Sequence, residues 1–161
     1  MRVRASMEKE LRAATIRAFE ESAFLMPVLG AELPDDRAAP DEVVRVPFEG
    51  PLTGEFVLEV YGGVAAVLAA NMLGTNEAPT RLTQLDAVCE MANVVCGNVL
   101  PRLSGSPRAF RIGAPELLCE WEVMGLARCP ASAQTFVGFE EGGVRVKLYL
   151  NEQADGAQGR S

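Results

Sequence analysis

Asp86-Ala-Val-Cys-Glu-Met-Ala-Asn-Val-Val-Cys-Gly-Asn-Val-Leu-Pro101 is the stretch around which the rest of the chain is arranged. At about 100° per residue, Asp86, Glu90, Asn93 and Gly97 fall in one line along a helix, while Leu85, Val88, Met91, Ala92, Val95 and Val99 fall on the far side. One face is apolar and predicts burial. The other is polar and ends in a glycine, which costs roughly 1 kcal/mol of helix propensity relative to alanine and leaves room for close approach to the backbone.

Working outward, Thr80 or Thr83 is placed to cap this helix, with Asp86 three residues after Thr83 in a box-like position. Upstream, Val64 to Leu73 is a nearly uniform apolar helix closed by Gly74, too short to span a bilayer and therefore a core helix. Before it, Val44, Val46 and Phe48 alternate with Val43, Arg45 and Pro47, and Phe56, Leu58 and Val60 alternate again after the turn at residues 49–54. The two segments predict an antiparallel hairpin, with Pro47 placing the first strand at an edge or an end. Residues 31–42 carry two prolines and many charges and predict a loop. Residues 7–29 predict a first helix, stopped by Pro27 and Gly30.

Downstream, Pro101 is expected to end or kink the central helix, because its missing N–H would have bonded the carbonyl of Gly97. Strands are predicted at residues 110–113, 117–123, 135–139 and 144–150, the last two joined as a hairpin by Glu140-Glu141-Gly142-Gly143. The order is helix, two strands, two helices, then three or four strands. That segregation predicts an α+β fold, a single domain over residues 1–150 with an antiparallel sheet and helices packed on one face (α-β-β-α-α-β-β-β). Residues 151–161, rich in Gly, Gln, Asp and Ser, predict a disordered tail.

Composition narrows the chemistry. A net charge of −7 lacks the clustered basic surface that phosphate-backbone or anionic-membrane binding needs, so neither nucleic acid nor membrane is expected as a partner. No apolar run reaches spanning length and the N-terminus lacks the apolar core of a signal peptide, which predicts a cytoplasmic protein. Histidine is absent and the four cysteines form no Cys-x-x-Cys pair, so common zinc sites are not expected and every Ser-His or Cys-His mechanism is excluded. Cys89, Cys96, Cys119 and Cys129 read as buried reduced thiols, and no Lys, Arg or His lies close to Cys89 or Cys96 in sequence to activate them as nucleophiles. Carboxylates, amides, Lys and Arg remain as tools. Trp121 reads as core or dimer surface.

Asp86, Glu90 and Asn93, followed by Gly97-Asn98 and a later Pro115, form a pattern that resembles the signature of the CheC, CheX and FliY chemotaxis phosphatases, and most closely CheX. The likeness runs over roughly residues 8–150. A single such helix resembles the CheX pattern rather than CheC, which carries two. Pro115 follows Asn93 after 21 residues, one fewer than is usual in the family.

The resemblance implies removal of phosphate from the aspartyl phosphate of a CheY-like response regulator. Such a phosphate is already reactive, so the helper needs only to hold a water in line with phosphorus. A carboxamide suits this task because it brings no negative charge against the phosphoryl group. By match to the family, Asn93 orients the water and Glu90 pairs with the regulator's active-site lysine. Asp86, Gly97 and Asn98 are the expected partner-binding positions, Asp86 at the rim and Gly97 as clearance. No cofactor of its own is implied, since the regulator carries Mg2+, and the family suggests a homodimer through exposed strand edges. The competing reading is a non-catalytic module that docks a receiver domain.

Overall fold

The computed structural model describes residues 2–30, 38–74, 76–105 and 109–151. Its elements are α1 (Arg2–Ala23), β1 (Glu42–Glu49), β2 (Gly54–Gly62), α2 (Val64–Leu73), α3 (Arg81–Ser104), β3 (Arg111–Ile112), β4 (Glu116–Leu117), α4 (Glu120–Ala127), β5 (Ala133–Phe139) and β6 (Gly142–Leu150). Most of the predicted loop at 31–42 and all but the first residue of the predicted tail lie outside the described residues.

Period-two alternation produced the sheet as expected. β1 and β2 pair antiparallel with Val46 opposite Phe56, β2 pairs with β6, and β6 returns to β5 through a two-residue turn at Glu140 and Glu141. The strand order is β3-β1-β2-β6-β5, with β4 also on β1. Val44, Val46, Phe56, Leu58, Val60, Val144, Val146 and Leu148 turn to one face and are buried there with Leu11 and Phe19 of α1, Leu68 of α2 and Met91, Val95 and Leu100 of α3. α1, α2 and α3 therefore cover one face of the sheet, as predicted.

Several local readings need correction. The first helix stops at Ala23, not at 29, because Phe24 enters the left-handed region at φ 56°, and the chain then runs out to bond Val28 N–H to the Gly138 carbonyl at 2.8 Å. Pro101 lies inside α3, which continues to Ser104 and closes at Gly105 with φ 61°. The bond that Pro101 forfeits belongs to the Gly97 carbonyl. Thr80 is the N-cap, its Oγ1 accepting from Thr83 N–H at 3.2 Å, so Asp86 takes no part in capping. The alternation at 117–123 is not one strand: only Leu117 belongs to β4, and from Glu120 the chain turns into α4, which carries Trp121 77% exposed rather than in the core.

Both outer edges of the long strands are occupied. β1 is neither an edge nor an end, since Gly113 N–H bonds the Pro47 carbonyl at 2.8 Å and Leu118 N–H bonds the Val43 carbonyl at 2.9 Å. Along β5, α1 reaches over with three residues spaced by four. Arg4 donates to the Ala131 carbonyl at 3.1 Å, Glu8 accepts from Gln134 N–H at 3.0 Å, and Arg12 donates to the Phe136 carbonyl at 2.7 Å. Part of the edge that would otherwise template another chain is thereby engaged.

Candidate functional site

α3 is held from below and tied at its start. Eight of its residues are buried, from Ala87 to Leu100, and the Arg81 guanidinium pairs with Glu42 at the start of β1. The helix is thereby fixed in rotation as well as position, and the remaining face is determined by its period.

On that face Asp86 and Glu90 are exposed, while Asn93 and Gly97 are half-buried. The four predicted residues do form one line, graded from open at its N-terminal end to sheltered at its C-terminal end. A Cβ placed on Gly97 would meet Ile112 Cδ1 at 3.8 Å, an ordinary contact, so packing does not require a glycine here. Asn93 is the unusual member. Its Oδ1 is covered and has no hydrogen-bond partner among the described residues. Leaving a buried acceptor unpaired costs about 1–3 kcal/mol.

Asn98 is not part of this line. It is exposed and borders a groove of about 320 Å³ between α1 and α3 with Ala14, Arg17, Glu21 and Arg102. Pro115 lies between β3 and β4 and is half-buried. A residue that the sequence reading passed over is Leu82, 74% exposed and four residues before Asp86. The spacing Leu82, Asp86, Glu90 was the available signal, since residues four apart on a helix are neighbours.

The cysteines divide. Cys96 is buried and its thiol is pushed up to about 12 by burial. Cys89 is half-buried and also raised, by burial first and then by the negative charges of Asp86 and Glu42. Both shifts disfavour the thiolate that a nucleophile needs. Cys119 and Cys129 are exposed, contrary to the expectation of four buried thiols. Among the described residues no group of three His, Cys, Asp or Glu side chains is placed to hold a metal, and no helix is long and apolar enough to cross a membrane.

Comparison with known proteins places this arrangement. Several solved structures share the fold, at sequence identities that show the fold alone. The chain aligns with the chemotaxis protein CheX from Desulfovibrio desulfuricans at a TM-score of 0.68 and 17% identity, over 91% of this chain and 99% of that one. It aligns with the CheX-CheY-BeF3-Mg2+ complex from Borrelia burgdorferi at 0.64 and 15%, over 89% and 97%. Thermotoga maritima FliY aligns at 0.59 and 14%, over 92% and 90%. Among curated protein sequences none is significantly similar. The family model described as chemotaxis phosphatase CheX matches residues 43–137, a span holding β1, β2, α2, α3 with its polar line, and most of β5. With more than half of its length matched by that model, the chain belongs to the chemotaxis phosphatase CheX family.

Proposed function

We propose that this protein accelerates hydrolysis of the aspartyl phosphate of a CheY-like response regulator, with Asn93 orienting the attacking water and Glu90 anchoring the regulator's active-site lysine. The observation that carries the reading is the state of Asn93. On a tightly packed helix of a CheX family member, its Oδ1 makes no hydrogen bond to any described residue, so the acceptor is not committed inside the fold. Because Oδ1 is covered in the free protein, the side chain has to rotate as the regulator docks. The amide then accepts from the water with its oxygen and has Nδ2–H2 left to donate.

Glu90 is suited to a different task. A carboxylate close to the phosphoryl group would be repelled, whereas an exposed carboxylate one turn before Asn93 fixes docking register by pairing with a lysine. Asp86 extends the contact at the rim and Gly97 lets the partner approach the backbone. The phosphorylated aspartate and Mg2+ come with the regulator, and the chain supplies no cofactor. The crystallised Borrelia CheX-CheY complex supports a receiver of the CheY class as the partner. Such a substrate places the reaction in the cytoplasm. The family resemblance implies a homodimer through exposed strand edges; β1 is covered by β3 and β4, and part of the β5 edge is engaged by α1.

The test is phosphate loss from a phosphorylated CheY-like receiver with Mg2+, with and without the protein. Acceleration is expected, and Asn93→Ala should remove it by roughly 10²-fold or more with the melting temperature maintained. Glu90→Ala should raise the receiver concentration needed for half-maximal rate. Binding without acceleration, weakened at Glu90 and indifferent to Asn93, would replace the phosphatase with a docking module.

A further inference from the structure

The face of the sheet turned away from α3 carries a second site. Along β2 the side chains alternate, so Val57, Glu59 and Tyr61 point opposite to the core-facing Phe56, Leu58 and Val60. On this outer face Glu59 is 7% exposed and its carboxylate pairs with two cations, Lys147 at 3.0 Å and Arg145 at 3.8 Å, themselves only 14% and 18% exposed. Tyr61 donates to the same carboxylate at 2.8 Å, which leaves Glu59 fully engaged.

The charges at this floor do not balance. Two largely desolvated cations share one anion, and the guanidinium is the loosely held member, with its ion pair long and its plane 5.9 Å from the Tyr61 ring centroid. Long side chains of this kind are rarely taken so far out of water without full pairing. Above them opens a cleft of about 520 Å³, walled on one side by Leu118, Val123 and Met124. The carboxylates at its rim do not restore the balance: Glu42 is paired with Arg81, and Asp41 and Glu120 are exposed to solvent screening.

We propose that this cleft binds a small organic anion, a carboxylate carrying an apolar body, with its charge on Arg145 and Lys147 and its body against Val123 and Met124. A planar guanidinium with free donors matches a carboxylate bidentately, and the α4 wall supplies apolar surface of the size a ring or short chain covers. The site is separate from the polar line of α3 and stands whether or not the phosphatase reading does.

Titration of the full chain with benzoate, followed by backbone amide NMR, tests it. Amides of Val123, Met124, Arg145 and Lys147 should shift and saturate with a Kd on the order of 1 mM or tighter, while those of Asp86 to Gly97 stay still. Arg145→Gln should weaken binding roughly tenfold or more. Should that variant fold poorly, Met124→Glu, on a side chain 57% exposed, should weaken binding in an intact fold by setting a like charge beside the carboxylate. Inorganic phosphate should bind more weakly than benzoate. Unmoved cleft amides, equal affinity in both variants, or phosphate binding as tightly as benzoate would each overturn the proposal.

Discussion

α3 and α4 are both helices with a polar exposed side, yet they are held by different physics. α3 runs for 24 residues with eight of them buried, whereas α4 runs for eight with none buried. α4 is kept in place largely by polar ties. Cys119 N–H donates to Glu122 Oε1 at 3.0 Å, a bond that holds the Glu122 carboxyl below its usual range with help from Arg45. Arg45 in turn reaches Glu55 and Glu116 at 3.2 Å and Glu122 at 3.9 Å, joining β1, β2, β4 and α4. The difference explains where unfavourable groups are tolerated. A helix anchored along its length can carry an unpaired amide oxygen at Asn93 and a glycine at 97, because burial elsewhere exceeds their cost.

The sharpest way to break this comparison is to shorten one methionine on each helix. Met91 of α3 is fully buried and Met124 of α4 is 57% exposed. Met91→Ala should cost about 2–5 kcal/mol by leaving a cavity, while Met124→Ala should stay within about 0.5 kcal/mol. Chemical denaturation of the two variants reads both values. Similar losses would mean that α4 is packed as deeply as α3 and that the contrast is misplaced.

The same contrast marks what the sequence disclosed. α3 was legible because its apolar residues recur at the helical period over many turns, so Val88, Met91, Val95 and Val99 left little choice of face. The β1–β2 hairpin was legible for the corresponding reason at period two. Around α4 the pattern misled: Leu117, Cys119, Trp121 and Val123 alternate like a strand, but over so short a run periodicity does not separate strand from helix. Local chemistry decided it, through the Glu122 carboxylate bonding the Cys119 backbone, and neither Trp121 nor Leu117 is buried. The end of α1 was hidden differently, since nothing in the residue type of Phe24 announces a positive φ. Within the site, the line Asp86 to Gly97 followed from spacing alone. Its gradient from exposed to sheltered did not, because at Gly97 it involves Ile112 arriving from a distant part of the chain.

Gly97 offers a finer cut. Since a Cβ there meets only Ile112 Cδ1 at 3.8 Å, Gly97→Ala should fit and should stabilise the fold by up to about 1 kcal/mol through helix propensity. If the glycine serves partner approach, the same variant should lower the rate of regulator dephosphorylation. Thermal melting and the phosphatase assay on one preparation separate the two. A stabilised variant with unchanged activity would remove Gly97 from the docking face.

The smallest expected effect concerns the cysteines, which sample both helices. Cys96 sits in the buried face of α3, while Cys119 and Cys129 flank α4 and are exposed. A thiol reagent at neutral pH should modify Cys119 and Cys129 in the folded protein and reach Cys96 only on unfolding. The pH dependence follows from the burial that raises Cys96 from its ordinary 9.0 to about 12. Below pH 9 the folded and unfolded chains both keep this proton, and its contribution to stability is intact. Between pH 9 and about 12 the unfolded chain releases a proton that the folded chain retains, so stability falls as pH rises. Cys96→Ala should flatten that fall without altering the pH dependence below 9, whereas Cys129→Ala, at an exposed position, should leave it unchanged. Equal labelling of all three thiols in the folded state would mean that α3 opens as readily as α4, and the rigid support proposed for Asn93 would go with it.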